Sequence, residues 1–100
     1  VSVAAASREE AERITGSAVE QRLAACGQVI GPVASTFRWE GKVERAEEWL
    51  CLLKTTRARY PELQRHVLRT HSYRVPEITA TPITAGVTEY LDWIRVETAT

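Results

Sequence analysis

Two cysteines and two histidines are the soft and borderline metal donors of this 100-residue chain, and their surroundings set what each could do. Cys26 stands where a helical pattern gives way to a strand pattern, and a thiolate there suits a soft ion such as Cu(I). His71 follows a second helical stretch, where the helix C-terminus favours an imidazolium and a neutral ring could act as a nitrogen donor. Cys26 and His71 are therefore the candidate metal ligands. Cys51, inside Trp49-Leu50-Cys51-Leu52-Leu53, reads as core, and His66, on an otherwise polar helical stretch, reads as solvent-facing. No Cys-x-x-Cys, His-Glu-x-x-His or paired-histidine spacing occurs, so a complete cage would have to be assembled across subunits.

Catalytic arrangements are not encoded locally. The five glycines are dispersed, and Ser17, Ser35 and Ser72 lack the flanks of a nucleophile elbow. Glu77 after Pro76, with Tyr73 and Lys54, forms a candidate polar cluster in a cleft between subunits, read as an ion pair rather than an acid and base couple. The expectation is a binding protein and not an enzyme.

The element that must position these groups is a long β-hairpin from Val29 to Lys54. Its first arm puts Val29, Val33, Phe37 and Trp39 on one face; the second puts Trp49, Cys51 and Leu53 on one face, Leu50 and Leu52 on the other. Glu40-Gly41-Lys42 is the place for the reversal. Arms of about 12 to 14 residues span roughly 40 to 45 Å, whereas a body of this length is only about 35 Å across. The hairpin therefore overhangs its own domain. Phe37, Trp39 and Trp49 on such a ribbon would leave an aggregation-prone edge unless another chain pairs with it, which makes them candidate interface residues of an obligate oligomer.

Around the hairpin, Val1 to Ala6 reads as a strand, and Ser7 with Glu10 three positions on as a capping box. The helix that follows turns Ala11, Ile14, Ala18 and Leu23 inward and ends near Ala25. Tyr60-Pro61-Glu62 opens a second helix with Leu63, Val67 and Thr70 inward. Pro76 makes Ser72 to Val75 a loop, Glu77 to Ile83 is a short strand, and a third helix starts near Gly86 with Val87, Tyr90, Leu91 and Ile94 on one face. Arg95 to Glu97 is expected to add a last strand. This order predicts an α+β fold, a ferredoxin-like βαββαβ sandwich with a long β-hairpin and an additional C-terminal helix, as a single domain over residues 1–100.

Thirteen basic and 13 acidic side chains balance, so no net field concentrates nucleic acid or an anionic membrane, and neither is an expected partner. The apolar runs are far below the roughly 18 residues of a membrane span. With the hairpin turning near Gly41, Cys26 and Cys51 fall about five positions, roughly 17 Å, out of register, too far for a disulfide. Reduced thiols suit a cytoplasmic chain.

Several strings then carry a family resemblance. Arg22-Leu23-Ala24-Ala25-Cys26, Ser35-Thr36-Phe37-Arg38-Trp39-Glu40-Gly41-Lys42, Leu53-Lys54-Thr55-Thr56, His71-Ser72-Tyr73-Arg74-Val75-Pro76-Glu77-Ile78 and Tyr90-Leu91-Asp92-Trp93-Ile94 occur in order with matching spacing. Across essentially its whole length the chain resembles the CutA divalent-cation-tolerance family. The resemblance implies a ferredoxin-like protomer, a homotrimer wrapped by its hairpins, and a link to tolerance of copper or another divalent metal, with no agreed reaction. The family often has His-His-Pro-Tyr where this chain has Thr70-His71-Ser72-Tyr73, and Asn where this chain has Gln28. The alternative is a regulatory trimer similar in build to the PII proteins, holding a small anionic metabolite between subunits through Lys54, Arg38 or Tyr73.

Overall fold

Strand β1 (Ser2–Ala5) alternates Val3 and Ala5 into the core, both fully buried. In the computed structural model, which describes all 100 residues, Ser7 then caps α1 (Arg8–Glu20) by accepting the Glu10 amide at 3.1 Å. Only half of the expected capping box forms. The Glu10 carboxylate reaches the Ala6 amide instead of that of Ser7, at 3.3 Å, because its other oxygen is drawn to Ser72 across the fold. The helix stops at Glu20, short of the expected Ala25. Arg22 takes the left-handed conformation (φ 59°), its amide bonds Val19 O and the Leu23 amide bonds Ala18 O, a pattern that satisfies the last carbonyls of a helix. Glycine is usual at that position; here the Arg22 side chain offsets the strain by donating to Val96 O at 2.9 Å and Ala99 O at 3.2 Å.

The hairpin is β2 (Cys26–Trp39) and β3 (Lys42–Lys54). Glu40 (φ 51°) and Gly41 (φ 79°) alone make the turn, and Lys42 already pairs with Trp39. Two consecutive positive φ angles give the turn whose twist matches that of the strands it joins. The molecule measures 44 × 26 × 21 Å, so the ribbon projects as its length requires. Its face assignment needs correction. Ile30 pairs with Leu50 but Val33 pairs with Glu48, so Gly31 and Pro32 together oppose Trp49 in a β-bulge. The extra residue inverts the alternation, and Val29, opposite Cys51, lies on the face opposite to Val33, Phe37 and Trp39.

Four antiparallel strands run in the order β2-β3-β1-β4, the ferredoxin-like arrangement, with α1 and α2 (Tyr60–Thr70) packed on one face. β4 is only Ile78–Thr79, shorter than the expected Glu77 to Ile83, and lies at the sheet edge. The expected final strand is absent: Arg95 to Glu97 complete α3 (Thr88–Glu97), whose apolar spacing continues to the buried Ile94. The core joins Ile14, Ala18, Cys51, Leu53, Leu63 and Val67, all fully buried.

Burial is nevertheless thin, with 18 of 100 residues buried. The accessible surface is 6590 Å² for an 11.2 kDa chain, against about 5,700 Å² for a folded monomer of that mass. The surplus of about 900 Å² lies close to the roughly 800 Å² that each partner contributes to a standard interface. Phe37 and Trp39, 41% and 42% exposed, stand on the projecting ribbon. No helix is long and apolar enough to cross a membrane.

Candidate functional site

The two candidate metal ligands do not share a site within the chain. Cys26 opens β2, half-buried, with its Sγ 3.3 Å from the Tyr90 hydroxyl of α3. The hydrogen bond with the Cys26 thiol raises the Tyr90 pKa above the ordinary phenol value. His71 caps the end of α2, and its side chain is fully buried. A carbonyl can only accept, so Nε2–H donates to Ala4 O at 2.7 Å, and Nδ1 accepts the Tyr73 amide at 3.0 Å. Both ring nitrogens are thereby occupied: a metal at Nδ1 would displace the Tyr73 amide, and one at Nε2 would cost both bonds. No group of three or more His, Cys, Asp or Glu side chains is placed to hold a metal ion. The thiols are both free, with Cys51 opposite Val29 and Cys26 opposite Lys54, three positions apart. Burial pushes the Cys51 thiol up, and its Sγ lies 3.4 Å from Ala11 O, which suits the core role expected for it.

Around His71 the fold builds a polar network from three elements. Glu10 of α1, 7% exposed, accepts the Ser72 amide at 2.7 Å and the Ser72 hydroxyl at 3.0 Å, and lies 3.9 Å from His71 Nδ1. Burial alone would raise the Glu10 pKa, but the bonds from the Ser72 hydroxyl and amide and from the Ala6 amide outweigh it and hold the carboxyl below its ordinary value. Tyr73 is aimed at β3, where its hydroxyl donates to Glu48 Oε2 at 2.9 Å. Burial first, then the Glu48 carboxylate, push this phenol up to about 12. Glu48 is itself buried, so the pair secures the 71–76 loop against the sheet.

The expected cluster of Tyr73, Lys54 and Glu77 does not form within the chain. Tyr73 is committed to Glu48, Lys54 Nζ donates to Gln28 Oε1 at 3.4 Å, and Glu77 is exposed, with only its backbone carbonyl bonded, to Ala4 N. Arg38 lies near the hairpin tip, exposed and apart from Lys54. Trp49 differs from the other two interface candidates: it packs half-buried against the protomer core over Gly31, its indole N–H buried without a partner. His66 also departs from expectation. It is 4% exposed, with Nε2 lying 2.8 Å from Ser17 Oγ, and burial, aided by Arg69, lowers its pKa. The helical spacing of Leu63, His66, Val67 and Thr70 could have found it, since all four share one face. Glu10 and Glu48 gave no such signal, because their partners are 62 and 25 residues away in sequence.

A family model described as CutA1 divalent ion tolerance protein matches residues 1–97. The chain is 46% identical over 92 residues to a divalent-cation tolerance protein CutA from Thermus thermophilus, covering 92% of this chain and 89% of that one. It is 38% identical over 98 residues to a chloroplastic protein CutA from Arabidopsis thaliana, of whose length the match spans 54%, about half. The solved structure of a divalent cation tolerance protein, Cut A1, from Thermus thermophilus superposes with a TM-score of 0.96 at 43% identity, covering 98% of this chain and 95% of that one.

Proposed function

The chain belongs to the CutA1 divalent ion tolerance protein family, and from that premise we propose that it serves divalent-cation tolerance, copper included, as a homotrimer that binds rather than catalyses. The observation that carries the assembly is the overhanging hairpin, with Phe37 and Trp39 exposed along a ribbon that its own helices do not cover. The surplus surface supports the same reading, and the open part of Trp49 extends the interface. Of the metal candidates Cys26 carries the proposal, because its thiol is half-exposed and bonded only to another side chain. Further donors come from a second subunit or from water. The free thiols favour a reducing compartment such as the cytoplasm.

Light scattering after gel filtration at micromolar concentration is expected to give about three times the 11.2 kDa chain mass. Trp39→Asp should disrupt the assembly and Trp93→Phe should not, since an unpaired charge at a desolvated contact costs far more than an aromatic exchange. A monomeric wild type would overturn the assembly. Anaerobic calorimetry with Cu(I) should show binding that is lost in Cys26→Ser. His71→Ala should weaken binding only if the metal displaces one of the ring's two hydrogen bonds. An equal affinity in Cys26→Ser and wild type removes the metal reading.

A further inference from the structure

The hairpin face that carries Phe37 and Trp39 also carries opposite charges at its two ends. Residues paired across the ladder share a face, so Trp39 with Lys42, Phe37 with Glu44, Ser35 with Ala46 and Val33 with Glu48 form one row from tip to root. Trp49 and Cys51 point to the core between the sheet and the helices, so this row lies on the face away from α1 and α2. At the tip Lys42 is exposed and enters no ion pair. At the root Glu48 is 8% exposed, and its carboxylate holds one bond, from the Tyr73 hydroxyl to Oε2. No cation of its own chain pairs with it. A carboxylate taken out of water needs more than one neutral donor. The polar side-chain atoms sealed from solvent without a partner are Thr15 Oγ1, Trp49 Nε1 and Arg59 Nε. Glu48 Oε1 is not among them, so this unbonded oxygen stays open to a group arriving from outside.

We propose that the Lys42 ammonium of one copy completes the buried Glu48 carboxylate of the next, fastening each ribbon tip to its neighbour's ribbon root. The pair rests on the assembly reading above and specifies the contact within it. Lys42 cannot serve the Glu48 of its own chain, which lies six positions along the same strand, about 20 Å away. A contact of tip to root is head-to-tail, the kind that closes into a ring, and each copy then gives one cation and receives one. Trp39 lies directly across from Lys42, so the contact that buries the indole also desolvates the ammonium and strengthens its attraction to the carboxylate. The other cations are less well placed. Arg38 and Arg45 pair with Val43 and Thr36 on the opposite face of the ribbon, and Lys54, on the same face as Glu48, stands at the far end from the tip and donates to Gln28. Glu44 shares the row but is exposed, so water already serves it.

Mixing isotopically heavy and light protein and following the mixed species by native mass spectrometry reads the rate at which subunits exchange. Lys42→Met keeps the stem of an exposed side chain, and Glu48→Gln keeps an acceptor for the Tyr73 hydroxyl, so both retain the fold. Each should speed exchange about tenfold or more, since removing one partner of a buried charge pair acts on the dissociation rate. The double variant should exchange no faster than the faster single one, because the same pair can be lost only once. Arg45→Met, on the other face of the ribbon, should exchange like wild type. A wild type that is monomeric by light scattering would overturn the assembly and this pair together. A trimeric wild type whose single variants exchange at the wild-type rate, whose single effects multiply in the double variant, or whose Arg45→Met exchanges as fast as Lys42→Met, would overturn the pair and leave the assembly standing.

Discussion

Replacing Glu10 by Gln tests whether the buried carboxylate is the pin that holds the 71–76 loop to α1. The wild-type oxygens accept three bonds, from Ser72 N at 2.7 Å, Ser72 Oγ at 3.0 Å and Ala6 N at 3.3 Å. A glutamine of the same shape keeps an oxygen on the Ser72 amide and donates its NH₂ to the Ser72 hydroxyl. That NH₂ then meets the Ala6 N–H, donor against donor. One weak bond is lost, worth about 1 kcal/mol, together with the charge assistance on two others, about 0.5–1 kcal/mol each, so the expected cost is about 2–3 kcal/mol. Urea unfolding of both proteins at one fixed protein concentration measures it, the fixed concentration making the contribution from assembly the same for both. The pH dependence gives a second, independent check. The folded carboxyl titrates below its ordinary value of 4.5, so the unfolded chain takes up the proton first as pH falls. The stabilisation is then complete above that value and is lost as pH drops through the folded pKa. The gap between wild type and Glu10→Gln should be constant near neutrality and close below about pH 4.5. Equal stabilities at pH 7, or a gap that persists in acid, would refute the pin.

Gly31→Ala should destabilise by about 1–3 kcal/mol in the same assay, because the new methyl falls inside the Trp49 indole and forces it off the core; an unchanged midpoint would mean that the bulge moves freely. Tyr73→Phe leaves the buried Glu48 without its donor and should cost about 2 kcal/mol at pH 7. In wild type the Tyr73 phenol should ionise near 12, so the stability it contributes is present below pH 10 and lost as pH rises through that folded value, which ultraviolet titration of wild type against the variant will show. His66 should remain neutral below 6.5 in a ring-proton titration, and stability should fall as pH drops below 6.5 because the unfolded chain protonates first. A His66 that titrates at or above 6.5 would contradict its burial against Ser17.

Features that rest on neighbours along the chain follow from residue type and order. Ser7 as helix cap, Pro61 at the start of α2, the inward stripes of α1 and α2, the reversal at Gly41 and the length of the hairpin follow from spacing, turn chemistry and rise per residue, and the overhang follows from length alone. The ferredoxin-like order and the family were legible for the same reason, since five motifs keep their order and spacing. The remaining features depend on contacts made across the fold. One extra residue at Gly31-Pro32 inverts the face of every later position in β2, and no periodicity announces it. Arg95 to Glu97 stay helical, with Arg22 donating to the carbonyls of Val96 and Ala99 from 74 and 77 residues away. Its place after α2 makes His71 a candidate nitrogen donor, but the Ala4 carbonyl, 67 residues away, takes its ring proton. Helix caps and turns are settled within a few residues, whereas a side chain's hydrogen-bond partner depends on which distant backbone the fold brings beside it.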